Sequence, residues 1–125
     1  MKRAIVIVDH GSRHGPANAV VTALAHALQA RAGAQLAVSW AHLEACEPSL
    51  GQALDECVSQ GAREVTVQPL FLVPGRHATR DIPELLDAAR QRHPGVQFRL
   101  GEVLGADPLI VQLIAQRCGL DEPAS

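Results

Sequence analysis

The chain has 125 residues, the size of one domain, and its 47% hydrophobic content is enough for a proper core and argues against disorder. Aromatic residues make up only 2%, so that core must be aliphatic. A formal net charge of −2 argues against a general nucleic-acid binder, which needs a basic excess.

Taken in chain order, Ala4 to Val8 (AIVIV) is a continuous β-branched run, the pattern of a strand buried on both faces. Met1-Lys2-Arg3 before it superficially resembles the start of a signal peptide. However, the apolar stretch ends at Asp9-His10, too soon for an h-region. No apolar run approaches the roughly 20 residues of a membrane span, and a cytoplasmic protein is expected. A polar loop from Asp9 to Gly15 follows, and Pro16 is placed to open a helix. That helix runs over 17–32 with Val20, Val21, Leu24, Ala25 and Leu28 at helical spacing, and Gly33 ends it.

Gln35 to Leu43 reads as a second strand. Pro48-Ser49 starts a second helix with Leu50, Leu54, Cys57 and Val58 on one face, closed by Gly61. A third strand is expected from Val65 to Leu72, then a Pro74-Gly75 loop, then a helix from about Asp81 to Arg92 with Leu85, Leu86 and Ala89 apolar. Val96 to Leu100 is a short fourth strand that could reach Val103. Asp107-Pro108 starts a last helix, with Leu109, Ile110, Leu113 and Ile114 expected inside. The order βαβαβαβα predicts an α/β fold. It is a four-stranded parallel sheet in the order 2-1-3-4 with helices on both faces, formed as one domain over 1–120 with a frayed tail at 121–125.

Cys46, Cys57 and Cys118 are odd in number, widely spaced and without a CxxC, so neither a disulfide framework nor a four-cysteine metal site is supported. Reduced thiols are expected.

In sheets of this kind ligands bind beyond the carboxyl ends of the strands. Three chemically capable segments fall there: Asp9 to His14 after the first strand, Glu44 to Glu47 after the second, and Gly75-Arg76-His77 after the third. With strand 1 between strands 2 and 3, His10, Glu44 and His77 converge on one crevice. Two imidazoles and a carboxylate there would suit a divalent ion such as Fe, Co, Ni or Zn. The bland alternatives are a loop role for any single histidine and a solvated or capping role for Glu44. Glu47 before Pro48 is better read as a charge at a helix N-terminus, and Asp81-Ile82-Pro83-Glu84 as a helix start. His26 and His93 fall on or beside helices, and His14 and His42 stay ambiguous. Arg13-His14-Gly15 spells the RHG of histidine phosphatases, but Asp9 to Ser12 separate it from the strand and the chain is short for that fold. The glycines at 11 and 15 make neither a GxGxxG nor a Walker loop.

Three motifs carry a family resemblance over about residues 4–105. Asp9-His10-Gly11-Ser12-Arg13 resembles the opening motif of the CbiX/SirB class of sirohydrochlorin chelatases. His42-Leu43-Glu44-Ala45-Cys46-Glu47-Pro48-Ser49-Leu50 is similar to the second, and Pro69 through His77, continuing to Asp81-Ile82-Pro83, to the third. One departure is visible: His42 stands where this class has an aromatic such as Phe.

The resemblance implies a chelatase-like half-unit that pairs as a symmetric homodimer. It further implies insertion of Co²⁺, Fe²⁺ or Ni²⁺ into sirohydrochlorin, toward cobalamin, siroheme or a nickel tetrapyrrole, with the metal as substrate and no permanently bound cofactor. His10 and His77 map onto the metal-handling histidines, and Glu44 onto the motif carboxylate, as ligand or base. Ser12, Arg13, Gly75, Arg76 and Arg80 are candidate contacts to the polycarboxylate ring, the arginines supplying the local positive charge that a net −2 chain needs. A rival class is a non-catalytic metal or tetrapyrrole carrier on the same fold.

Overall fold

The computed structural model describes residues 2–73 and 75–120, except the side chains of His77 and Ala78. The tail at 121–125 and Pro74 lie outside the described residues. Strands β1 (Arg3–Asp9), β2 (Leu36–His42), β3 (Glu64–Pro69) and β4 (Gln97–Leu100) alternate with helices α1 (Gly15–Ala32), α2 (Leu50–Ser59), α3 (Arg76–Arg92) and α4 (Pro108–Arg117). The sheet is parallel throughout, in the expected order β2-β1-β3-β4.

Right-handed crossovers decide where the helices go. The β1-to-β2 connection runs one way along the sheet, whereas those from β2 to β3 and from β3 to β4 run the other way. Helix α1 therefore covers one face, and α2 and α3 the other. The α1 face buries Ile7, Val21 and Ala25 with Ile5, Val38 and Trp40 packed around them. The opposite face holds the larger core, with Val6, Val8, Leu50, Leu54, Ile82 and Leu86 nearly or fully buried. Because β1 is covered on both sides, Val6 and Val8 are fully buried and Ile7 is 6% exposed, as the AIVIV run requires. On α1, Val21 and Ala25 face the sheet, while Val20 and Leu24 are exposed.

The helix ends follow local chemistry. Ser49 caps α2 through a reciprocal box with Gln52. Asp107 caps α4, accepting from Leu109 N at 2.9 Å. Gln29 of α1 blunts the edge strand: its Oε1 accepts from Val38 N and its Nε2 donates to Leu36 O, both at 2.7 Å.

Two expectations are corrected. Helix α3 starts at Arg76, five residues before the Asp81 start read from the sequence. Pro83, which suggests a first turn, lies inside the helix. Gly75 is the N-cap, and its carbonyl accepts from both Thr79 N (2.9 Å) and Thr79 Oγ1 (2.8 Å). The third strand correspondingly stops at Pro69, short of Leu72. Helix α4 buries nothing: Leu109 is 73% exposed, Leu113 42% and Ile114 55%. The four-residue β4 at the sheet edge offers it no surface to cover.

Candidate functional site

The order of the sheet fixes where a ligand can enter. The chain leaves β1 toward one edge and β3 toward the other, so their carboxyl ends part at a switch point. His10 follows β1 directly at this point, exposed, with its ring tilted against Phe71 just beyond β3 (centroids 4.5 Å apart, planes at 36°). A Cβ added at Gly75 would lie 4.0 Å from His10 Nε2. The imidazole thus abuts the start of α3, the helix whose second residue is His77. The sequence places His77 in a loop; the structure puts its backbone in the first helical turn.

Glu44 approaches from the other side through the backbone. Leu43 N donates to Asp9 O (3.0 Å) and Glu44 N to His10 O (2.9 Å), extending the β1–β2 ladder past both strands. The fit leaves no room at Gly11. Its φ is +86°, and a Cβ there would fall 1.9 Å from the Glu44 carbonyl oxygen. Ala45 next to Glu44 also has left-handed backbone (φ 74°). Among the described residues the exposed Glu44 carboxylate has no hydrogen-bond or ion-pair partner. Nor do any three His, Cys, Asp or Glu side chains cluster closely enough to hold an ion.

The remaining candidates divide. Ser12 braces its own loop: its N donates to Asn18 Oδ1 (2.9 Å), its O accepts from Asn18 Nδ2 (2.7 Å), and its Oγ accepts from His14 N (2.9 Å). Arg13 and Arg76 are exposed beside the switch point, Arg76 as the first residue of α3. Arg80, one turn on, lies 3.6 Å from the Asp81 carboxylate. An open cleft of about 710 Å³ lies between α3 and the segment after β4, lined by the apolar Phe71, Ile82, Pro83 and Val103 together with the acidic Glu102 and Asp107. Phe71 therefore joins the cleft to His10.

His14 is exposed at the N-cap of α1 and makes no side-chain cap. His26 meets Trp40 edge-on at 5.3 Å, and His93 bonds Asp55 at 2.8 Å, so both serve packing. Glu47 accepts from Gln52 Nε2 (3.0 Å) beside the α2 cap, which fits its helix-terminus reading. Three further residues beside the candidate site had no role assigned from the sequence. Phe71 lies within the third motif, which gave it no role of its own. Asn18 sits unremarkably in a helix. His42, left ambiguous, is 3% exposed with Nδ1 2.6 Å from Asp9 Oδ1.

The family model described as CbiX matches residues 4–119. A chloroplastic sirohydrochlorin ferrochelatase of Arabidopsis thaliana is 37% identical over 113 residues, covering 90% of this chain and 50% of the relative. The chain thus spans about half the length of that curated relative. The sirohydrochlorin chelatase SirB of Bacillus subtilis subspecies spizizenii, solved in complex with cobalt, superposes with a TM-score of 0.87 at 34% identity. That match covers 95% of this chain and 50% of the other. The CbiX protein of Marinobacter aquaeolei VT8 superposes with a TM-score of 0.79 at 29% identity over 94% of both chains.

Proposed function

The chain belongs to the CbiX family, and we propose that it is a tetrapyrrole metal chelatase that inserts Co²⁺, Fe²⁺ or Ni²⁺ into a sirohydrochlorin-type ring. The observation that carries this reading is the place of His10. It stands at the β1/β3 switch point beside Phe71, against the N-cap of the helix that bears His77, with the open cleft alongside.

Metallation asks that the ion shed water, that the pyrrole N–H protons leave, and that the ring bend toward the ion. A neutral imidazole, with a reference pKa near ~6.5, binds metal or takes a proton near neutral pH. In this account His10 and His77 hold the ion and hand it to the ring, with Glu44 as a further ligand or the base for the pyrrole protons. The ion is a substrate, so a sphere with open positions serves better than a closed one, because the metal must be released. The flat face of the ring suits the apolar side chains of the cleft, such as Phe71 and Ile82, and its carboxylates suit Arg13, Arg76 and Arg80, with Ser12 and Gly75 as neighbouring contacts.

A single cleft walls one side of such a ring, and a symmetric homodimer supplies a second wall. The unburied apolar residues of α4 and the doubled length of the plant relative favour that assembly. A cytoplasmic setting accords with its three unpaired cysteines.

The test is to follow the ring's absorption with sirohydrochlorin and each of Co²⁺, Fe²⁺ and Ni²⁺. Acceleration over the uncatalysed rate with at least one metal is expected. Ring binding without acceleration would instead assign a carrier role, and neither binding nor acceleration would remove the tetrapyrrole reading.

A further inference from the structure

We infer that Asp9 and His42 form a strut that positions His10, making His42 a positioning residue for metal handling. The kinetic consequence rests on the chelatase reading; the structural one does not.

Asp9 and His42 are the last residues of β1 and β2 and are register partners. His42 Nδ1 lies 2.6 Å from Asp9 Oδ1, and the two side chains are 3% and 18% exposed. This is a short hydrogen bond to a carboxylate, with Nδ1–H donating, and such bonds are strong and geometrically specific. Side chains alternate along a strand. Asp9 therefore shares the α1 side with Ile7, while His10 turns to the Phe71 side. The pair thus acts on His10 through the backbone.

The backbone is arranged to transmit that action. Asp9 O accepts from Leu43 N, and His10 O from Glu44 N, so the strut closes a ladder that joins His10 to Glu44. His42 N donates to Pro48 O at 2.9 Å, tying the far end of the β2 loop to the same residue. The turn after His10 rests on His42 as well: a Cβ at Gly11 would lie 3.1 Å from His42 Cβ.

Volume alone does not call for an imidazole here, since a phenyl ring would fill similar space. A phenyl ring would, however, leave the Asp9 carboxylate without its donor in a mostly buried position. The N–H is the feature that ring volume cannot replace.

The test compares wild type with His42→Phe and His42→Asn, the second keeping an N–H near the Nδ1 position. Co²⁺ affinity is read by calorimetry, and hydrogen exchange is read at the Glu44 amide. His42→Phe should weaken Co²⁺ binding measurably, by less than the roughly 10–100-fold seen when a direct hydrogen-bond partner of a metal ligand is lost, because the strut reaches His10 only through the backbone. It should also speed Glu44 amide exchange and raise KM for the metal more than it lowers kcat, and His42→Asn should restore most of each. If His42→Phe does not fold, Asp9→Asn, which keeps the shape and removes the charged acceptor, makes the same comparison. A His42→Phe protein with wild-type Co²⁺ affinity and Glu44 exchange, altered only in thermal midpoint, would overturn the proposal. A wild-type protein that fails to metallate the ring while Glu44 exchange still responds to His42→Phe would overturn the chelatase reading and leave the strut standing.

Discussion

Gly11→Ala is the substitution to which the site is most sensitive for reasons of geometry alone. A methyl group at Gly11 would sit 1.9 Å from the Glu44 carbonyl oxygen, a backbone atom that cannot rotate away. The φ of +86° is itself unfavourable for alanine by about 1–2 kcal/mol. Relieving the clash means parting the ends of β1 and β2. That movement breaks the Glu44 N to His10 O bond and the Leu43 N to Asp9 O bond, each contributing about 1 kcal/mol. It also stretches the Asp9–His42 contact. The expected loss is about 3–5 kcal/mol, large for one methyl group and within the range reserved for strain and broken networks. Urea denaturation should show a lower midpoint at unchanged slope. Co²⁺ binding should weaken even where the variant is folded, because His10 and Glu44 are displaced together. A loss below about 1 kcal/mol with unaltered Co²⁺ affinity would refute the claim that this contact sets the site.

Three further outcomes are expected. A hydrogen bond from His93, with added hydrogen bonding and charge from Arg92, holds the Asp55 carboxyl below its usual range against an opposing desolvation. The folded value is the lower one, so this stabilisation is present above the unfolded pKa and lost as pH falls through the folded value. Asp55→Asn should flatten the acid limb of urea midpoints below about pH 4, by at most about 1 kcal/mol for so exposed a group; an unchanged limb would dismiss the cluster. Burial pushes the Cys57 thiol up, so a thiol reagent at neutral pH should label Cys118 and Cys46 in the native protein and Cys57 only on unfolding. If α4 forms the seam of the proposed homodimer, Ile114→Glu should give a monomer in light scattering where the wild type gives a dimer, with the intrinsic stability of the single chain altered by less than about 0.5 kcal/mol; a wild-type monomer at micromolar concentration would dispose of that proposal.

The sheet was legible because its signal is redundant. AIVIV suits a strand between two covering layers, and strand–helix alternation with right-handed crossovers narrows the order to a few, of which 2-1-3-4 is a natural doubly wound one. His10 was legible for the same reason, since a polar residue ending a buried strand must lie at the sheet's carboxyl edge. The start of α3 was not. Gly75 caps it with no side chain, and Pro83 imitates a first-turn proline seven residues inside. His77 accordingly read as a loop residue. The apolar stripe of α4 was legible as a stripe, but its exposure was not, because hydrophobic periodicity does not say whether a surface of the same chain covers it. His42 stayed ambiguous because its role depends on Asp9, which is 33 positions away in sequence and adjacent only once β1 and β2 are in register.

X-ray absorption of the Co²⁺-loaded protein bears most directly on whether the β1/β3 switch point carries an open, histidine-based metal site. Imidazole nitrogens together with water oxygens are expected in the wild type, and one imidazole fewer in His10→Ala. Identical metal shells in the two proteins, or a closed protein sphere that holds Co²⁺ against sirohydrochlorin, would contradict such a site.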